Sequence, residues 1–374
     1  MKIINAKVYT EDGIFKIQDV CTDGEKIAKQ STDEICIDGT GCYLIPGLTD
    51  IHFHGCMGYD FCDGTKESIE AMAVYEASRG VTTIVPATMT LSKDRLKKIC
   101  ETAASYTSTS ERGAVFCGIH MEGPFIAREK KGAQNGTYIQ KPSAEMFREL
   151  NAASGNRVKL LAIAPEVEGA FDCIDALKDE VVLSIAHTAA DYETASEAFR
   201  HGVRHVTHLY NAMEGLRSRA PGVVGAAADH DKVEAELICD GIHIHPATVR
   251  QTFKMFGDDR IIFISDSMEA TGMPDGTYAL GGQKVTKKGN LATLADGTLA
   301  GSVTDLMDCM RTAVQKMQIP LETAVKCAAV NPAKSVGIYG QYGSITVGKT
   351  ANMVLLREED LSIVRVFLRG KGII

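Results

Sequence analysis

Residues 46–55 read PGLTDIHFHG, an apolar run that ends in two histidines one residue apart and then a glycine. In an extended strand residues i and i+2 point the same way. A strand over Leu48 to His54 therefore turns His52 and His54 to one side, with Gly55 ending it. Working outward, seven more short apolar or β-branched runs follow: Val81 to Pro86, Ala114 to Glu122, Val158 to Ala164, Val181 to His187, Val203 to Leu209, Glu234 to Asp240 and Ile261 to Asp266. Between most of them lie stretches with helical periodicity, such as TKESIEAMAVYEASRG (65–80) and DYETASEAFRHG (191–202), each ending near a Gly that suits a helix C-terminus. Strand and helix alternating at this spacing predict an α/β fold with a parallel sheet. Eight such units close into a TIM-like (β/α)8 barrel, whose site lies at the C-terminal strand ends. An open doubly wound sheet is the alternative, but no GxGxxG follows any strand.

Outside this block the texture changes. Residues 1–45 alternate in β fashion around the turns Asp12-Gly13 and Asp23-Gly24, and residues 343–374 do the same through GSITVGKTANMVLL and IVRVFLRGKG. The two ends are expected to pair into one small β-sandwich domain, 1–45 with 335–374, beside a catalytic barrel spanning 46–334. Residues 277–302 read as hairpins inserted after the eighth strand, followed by two helices that run to a break at Asn331-Pro332.

Composition narrows the function classes. A 374-residue chain with 45% hydrophobic and 24% charged residues builds a sizeable core. A net charge of -8 leaves no footprint for nucleic acid. No apolar run reaches the roughly 18 residues of a membrane span, and MKIINAKVYTEDG lacks the basic and apolar blocks of a leader, so a cytoplasmic location is expected. The eleven cysteines include no CxxC pair and point to a reducing compartment. Cys56 reads as a small buried hydrophobe rather than a ligand.

Six of the ten histidines, His52, His54, His120, His187, His208 and His243, fall where strands are expected to end. Glu122 joins them at the mouth of the third strand and Asp266 at that of the eighth. Each alone reads as an ordinary hydrogen-bonded core residue. Together, ionisable groups on five strands are costly to bury without a shared partner, and a cation is the simplest one. Imidazole mixed with carboxylate suits borderline metals such as zinc. His120, one layer deeper than Glu122, reads as a supporting residue.

The stretches PGLTDIHFHG (46–55), HMEGPFIAREKKGAQN (120–135), AHT (186–188), THLYNAMEGLRSRAPG (207–222), DGIHI (240–244), SDSMEATG (265–272) and GTLAGS (297–302) resemble the amidohydrolase superfamily and, within it, the N-acetylglucosamine-6-phosphate deacetylases. The resemblance implies that Glu122, His187 and His208 are metal ligands and that Asp266 is the catalytic acid and base. It implies that His52 and His54 leave room for a second ion, so one or two divalent ions bind, zinc first, with iron, manganese, cobalt or nickel as alternatives. It further implies a small phosphorylated amino sugar as substrate, contacted by Asn211, the backbone at Ala212, Arg219 and His243, with Arg219 reaching across a homodimer. Gln134 is expected among the substrate contacts too, but departs from the pattern: other members carry a substrate-contacting histidine there, and glutamine can donate and accept but carries no positive charge.

Amide hydrolysis needs an activated nucleophile, a proton acceptor, oxyanion stabilisation and a proton for the leaving amine. A bound metal supplies the first and third, and Asp266 would supply the second and fourth. The related dihydroorotases, hydantoinases and acyl-amino-acid deacylases commonly use a carboxylated lysine at the end of the fourth strand. Here that end reads AIAPE, without lysine. A non-catalytic sugar-phosphate sensor on the same barrel is the reading from a different class, disfavoured by the complete set of candidate ligands.

Overall fold

The eighth strand, Ile261–Ile264, shows how the parallel sheet is built. Ile261 and Phe263 pack outward into the core shared with the helices, whereas Ile262 and Ile264 join an inner cluster with Ile51, Val85, Leu160 and Ile238. A strand covered on both faces has no polar side to alternate, which is why it reads as an unbroken apolar run.

In the computed structural model, which describes residues 1–31 and 33–374, the other parallel strands are Leu48–Asp50, Val81–Ile84, Val115–Phe116 with Ile119–Phe125, Val158–Ile163, Val182–Ile185, His205–Val206 and Glu234–Ile238. They pair in chain order as two parallel groups, joined by a bridge from Ala87 to His120. The Asp266 N–H donates to His52 O at 2.9 Å and the His54 N–H to Ser267 O at 2.7 Å, which brings the last strand back beside the first. The result is a barrel-type α/β fold with an additional β domain.

Several strands are shorter than the sequence suggests. The first ends at Asp50 rather than His54, because Phe53 O, His54 N and His54 O bond instead to Ala87, Ser267 and Phe61. The sixth shrinks from Val203–Leu209 to His205–Val206. The expected break at Asn331-Pro332 does not occur. Helix Leu321–Val325 runs through a wider turn over Lys326–Val330, closed by the Asn331 N–H on Lys326 O, into Asn331–Ser335, and that wider turn accommodates the Pro332 ring.

Helix Lys66–Ser78 starts where the Thr65 hydroxyl accepts from Ser68 N–H, and Tyr192–Arg200 where Asp191 accepts from Thr194 N–H. The first helix buries Glu76 completely, and neither carboxylate oxygen has a hydrogen-bond partner among the described residues. Burial first, then the charges of Asp50 and Asp305, push its pKa well above the usual carboxylate range. The folded chain thus holds a proton that the unfolded chain has lost, so stability falls as pH rises from about 4.5 towards the folded pKa and then levels off. Glu76→Gln removes this titration. Its Tm should exceed that of the wild type by a few degrees near pH 8 and converge on it near about pH 4.5, as followed by thermal unfolding across that range.

The chain ends share sheets. A six-stranded sheet runs Lys371–Gly372, Ile363–Leu368, Met353–Arg357, Cys42–Pro46, Lys7–Tyr9, Phe15–Ile17, and a four-stranded sheet runs Lys26–Ala28, Val20–Asp23, Lys2–Ile4, Cys36–Asp38. Leu44, Met353, Leu355 and Phe367 face a small core with Ile3, Val8 and Val20, while Ile45, Val354, Leu356, Val366 and Leu368 face the core of the barrel helices. Period-two alternation thereby fastens one sheet to both units. The β pattern expected from residue 343 begins only at Met353. The stretch after the eighth strand forms three antiparallel strands, Gly276–Leu280, Gln283–Lys288 and Leu291–Thr293.

Candidate metal centre

Glu122 lies on the third strand at the centre of the site, 2% exposed. Its Oε1 is 3.0 Å from both His187 Nε2 and His208 Nε2 and 3.5 Å from His52 Nε2, and its Oε2 is 3.3 Å from His54 Nε2. Asp266 Oδ1 is 3.3 Å from His54 Nε2 and 3.7 Å from His52 Nε2. Gly123 follows Glu122 at φ 76°, and a Cβ there would lie 2.2 Å from Thr90 Oγ1, so only glycine lets the strand end this close to the Thr90 loop.

Three of these residues adopt a conformation that side-chain-bearing residues rarely take. His187, His208 and Asp266 have φ of 46°, 30° and 49°. For two of them the reason is visible in the register. Ser184 Oγ lies 2.9 Å from His205 Nδ1 and 2.6 Å from Thr207 Oγ1, so residues 184, 205 and 207 share one face and 187 and 208 are out of phase with it. A left-handed residue at each strand end brings both imidazoles back to Glu122.

The donor set fits a cation. His187 Nδ1 is 2.9 Å from Lys130 O, a pure acceptor, so that nitrogen carries the proton and the neutral ring presents a lone pair at Nε2. That lone pair faces Glu122 Oε1 and, at 3.2 Å, His208 Nε2. His52 Nδ1 likewise meets Glu236 Oε2 at 2.8 Å, leaving Nε2 aimed at carboxylate oxygens without a hydrogen-bond partner among the described residues. Acceptors converging on acceptors require protons or a metal ion between them. Three triads have ligand atoms close enough to share an ion: Glu122–His187–His208 and His52–His54–Asp266, whose members apart from His52 line an open cavity, and the deeper His52–His120–Glu236, none of which does.

With protons as the only cations, burial alone would lower the His54 pKa, but hydrogen bonds to Asp266 and Glu122 carry it up to about 10. Burial alone would raise Glu122 and Asp266, yet the neighbouring imidazoles hold Glu122 well below and Asp266 below the usual carboxylate range. Both acids are therefore held ionised, the form that binds a metal. His120 is pushed down to about 3 by burial and by His52, and its Nδ1 lies 3.1 Å from Ile51 O, in keeping with a supporting residue. Cys56 is fully buried, burial raises its thiol pKa, and it joins no ligand group among the described residues.

A cavity of about 290 Å³ opens over this cluster, lined by His54, Glu122, Gln134, His187, His208, Asn211, Ala212, His243 and Asp266, with Leu280 and Leu299 from the inserted hairpin region as a wall. Asn211, Ala212 and His243 thus stand beside the candidate ligands. His243 is oriented by a 2.7 Å contact to Asp240 Oδ2 that, against the effect of burial, raises its pKa. Gln134 is 2% exposed and fully engaged, donating to Glu122 Oε2 at 2.6 Å and accepting from Thr90 N–H at 2.6 Å. Arg219 is exposed and lines a separate cavity with Tyr192 and Arg217, so it does not enter its own chain's pocket.

Sequence reasoning missed Glu236, which touches His52, and the hairpin wall. Glu236 had a signal: an acid in the middle of the strand EAELI, two residues before the inward-facing Ile238. Leu280 had none, and Leu299 was marked only by its place in GTLAGS, since which strand ends they cover depends on how the insertion folds back.

The amidohydrolase family profile matches residues 43–373. The N-acetylglucosamine-6-phosphate deacetylase of Bacillus subtilis (strain 168) is 36% identical over 372 residues, 98% of this chain and 92% of that protein. The N-acetylgalactosamine-6-phosphate deacetylase of Escherichia coli O157:H7 is 32% identical over 329 residues, 88% of this chain and 87% of that protein. The structure of an Asp-to-Ala mutant of N-acetyl-D-glucosamine-6-phosphate deacetylase from Mycobacterium smegmatis, in complex with N-acetyl-D-glucosamine-6-phosphate, superposes with a TM-score of 0.93 at 28% identity, covering 100% of this chain and 99% of that one. Matched by that profile over most of its length, the chain belongs to the amidohydrolase family.

Proposed function

We propose that the chain is a metal-dependent deacetylase that hydrolyses N-acetylglucosamine 6-phosphate to glucosamine 6-phosphate and acetate. The observation that carries the reading is the convergence of Glu122, His187 and His208 on one point, with Asp266 beside them at the floor of an open cavity. Relatives named for this activity, at identities up to 36%, support it.

The first triad would hold one divalent ion, and His52, His54 and Asp266 suit a second, with zinc first and iron, manganese, cobalt or nickel as alternatives. The chemistry such an ion supplies when bound is acidification of water and polarisation of the acetyl carbonyl. Asp266 reaches solvent more than Glu122, with side chains 11% and 2% exposed, so it is the carboxylate a substrate can meet. Held ionised, it accepts a proton from the attacking water and returns it to the sugar nitrogen as the C–N bond breaks. Asn211, the Ala212 backbone and His243 line the side of the cavity suited to the sugar and its phosphate. Gln134 borders the same space with a neutral amide where a cationic histidine would polarise more strongly.

The reading assigns residues 46–334 to a (β/α)8 barrel closed between its first and eighth strands, and 1–45 with 335–374 to a β-sandwich unit. Arg219, exposed and outside its own pocket, suits a role in the site of a second copy within a homodimer. The eleven unpaired cysteines fit a reducing, cytoplasmic setting.

Acetate release by the metal-loaded chain across a panel of acetamido sugars tests this. We expect kcat/KM to be highest with N-acetylglucosamine 6-phosphate, lower with N-acetylgalactosamine 6-phosphate, and reduced by about 10²-fold or more without the phosphate, since each charge-assisted hydrogen bond contributes about 1.5–3 kcal/mol. Turnover of unphosphorylated amides alone would remove the phosphate assignment, and no acetate from any sugar would remove the function.

A further inference from the structure

Glu236 on the seventh strand is fully buried beneath the two ligand triads that reach the cavity, and among the described residues no lysine or arginine pairs with it. Its Oε2 does two things at once: it lies 2.8 Å from His52 Nδ1 and accepts from the His208 backbone N–H at 3.1 Å. Its Oε1 has no hydrogen-bond partner among the described residues, with His120 Nδ1 and His205 Nε2 each 3.8 Å away.

A carboxylate can only accept, so the proton of a neutral His52 ring sits on Nδ1. The opposite nitrogen, Nε2, is then a lone pair facing Glu122 and Asp266, the form a metal ion needs. A ligating histidine whose other nitrogen donates to a carboxylate has its tautomer, ring orientation and basicity set by that carboxylate. The second bond acts on the other triad. His208 reaches Glu122 only through a left-handed backbone, at φ 30°, and Glu236 anchors the amide of that strained residue. One buried oxygen therefore holds a ligand of each triad.

We propose that Glu236 is a positioning residue that makes His52–His54–Asp266 competent as a second ion site and ties its geometry to the Glu122–His187–His208 site. The inference rests on the metal-dependent reading above. Glu236 touches neither substrate nor reacting atoms; it acts through His52 and His208.

The test uses full-length wild type and Glu236→Gln, which keeps the shape and removes the charge. Each is stripped with chelator, titrated with Zn²⁺, and assayed for ions bound per chain by elemental mass spectrometry. Wild type is expected to bind two ions. In Glu236→Gln the second ion should bind about 10–100-fold more weakly while the first is retained. A separate measurement needs no variant at Glu236: ¹⁵N-histidine NMR of the zinc-loaded wild type, with the His52 signals assigned by their loss in His52→Asn. His52 should show a protonated Nδ1 and a metal-shifted Nε2. Wild type that binds no zinc would defeat the metal-dependent reading itself. Wild type that binds a single ion, equal second-ion affinity in Glu236→Gln, a His52 Nδ1 without a proton, or zinc bound through Glu236 as a third ion would each overturn the positioning role.

Discussion

Glu122→Gln is expected to abolish both zinc retention and acetate release while leaving the chain folded. Glu122 lies within 3.5 Å of four imidazole nitrogens, those of His52, His54, His187 and His208. An amide of the same size keeps the volume but offers a neutral, weaker oxygen, and its NH₂ now faces either the histidine lone pairs or the Gln134 amide. Loss of an outer-shell partner costs about 10–100-fold in metal affinity, so loss of the central ligand should cost more. The Lewis-acid contribution to the barrier is several kcal/mol, so turnover should fall by about 10³-fold or more. Elemental analysis of dialysed protein reads the first effect and acetate release the second. A third readout separates ion loss from misfolding: the wild-type Tm should rise with added Zn²⁺, because an ion that binds only the folded chain stabilises it, and the variant's Tm should stay flat. A variant that keeps zinc and turnover would show that Glu122 is not the ligand that holds the first ion.

How much of this was legible in the sequence follows from the physics of strands. His52 and His54 obey the two-residue period, and both rings meet Glu122 as that period requires, even though hydrogen bonding to the second and eighth strands ends the regular strand at Asp50. Helices 66–78 and 192–200 were equally readable, because Thr65 and Asp191 are caps with a local mechanism. His187 and His208 were found by their place at strand ends, not by phase: they are out of step, and only the left-handed turns bring them in. No pattern of residue types announces a positive φ at a histidine. The two-residue sixth strand was overestimated because Thr207 to Leu209 look extended by composition yet already belong to that turn. At Asn331-Pro332 the proline reads as a stop, yet a wider helical turn just before it accommodates the ring. Gln134 reads as a substrate contact and lines the cavity; that its amide also bonds Glu122 and Thr90 is a tertiary fact that depends on Gly123 letting the Thr90 loop approach.

Asp266→Asn should separate binding from chemistry. Its backbone is fixed from two sides, with its N–H on His52 O at 2.9 Å and its O accepting from Ser302 N–H at 2.7 Å, so the φ of 49° should survive the change. Asparagine tolerates that left-handed conformation. The ion of the Glu122 triad does not depend on it, because none of Glu122, His187 and His208 needs Asp266 to complete the set. What asparagine cannot do is take a proton from water and hand it to the leaving nitrogen. General acid–base catalysis contributes about 10²–10⁴-fold, so kcat should fall by that factor, about 3–5 kcal/mol in barrier height. Because both steps run through one carboxylate, the acidic limb of the kcat profile set by Asp266 should vanish with it. Zinc at the first site should remain, and sugar-phosphate affinity by calorimetry should stay within a few-fold, the signature of an interaction made only in the transition state. Glu122→Gln loses ion and turnover together, whereas Asp266→Asn should lose turnover alone. If kcat survives in Asp266→Asn, the proton acceptor lies elsewhere, and among the carboxylates lining the cavity Glu122 would then have to serve as both ligand and base.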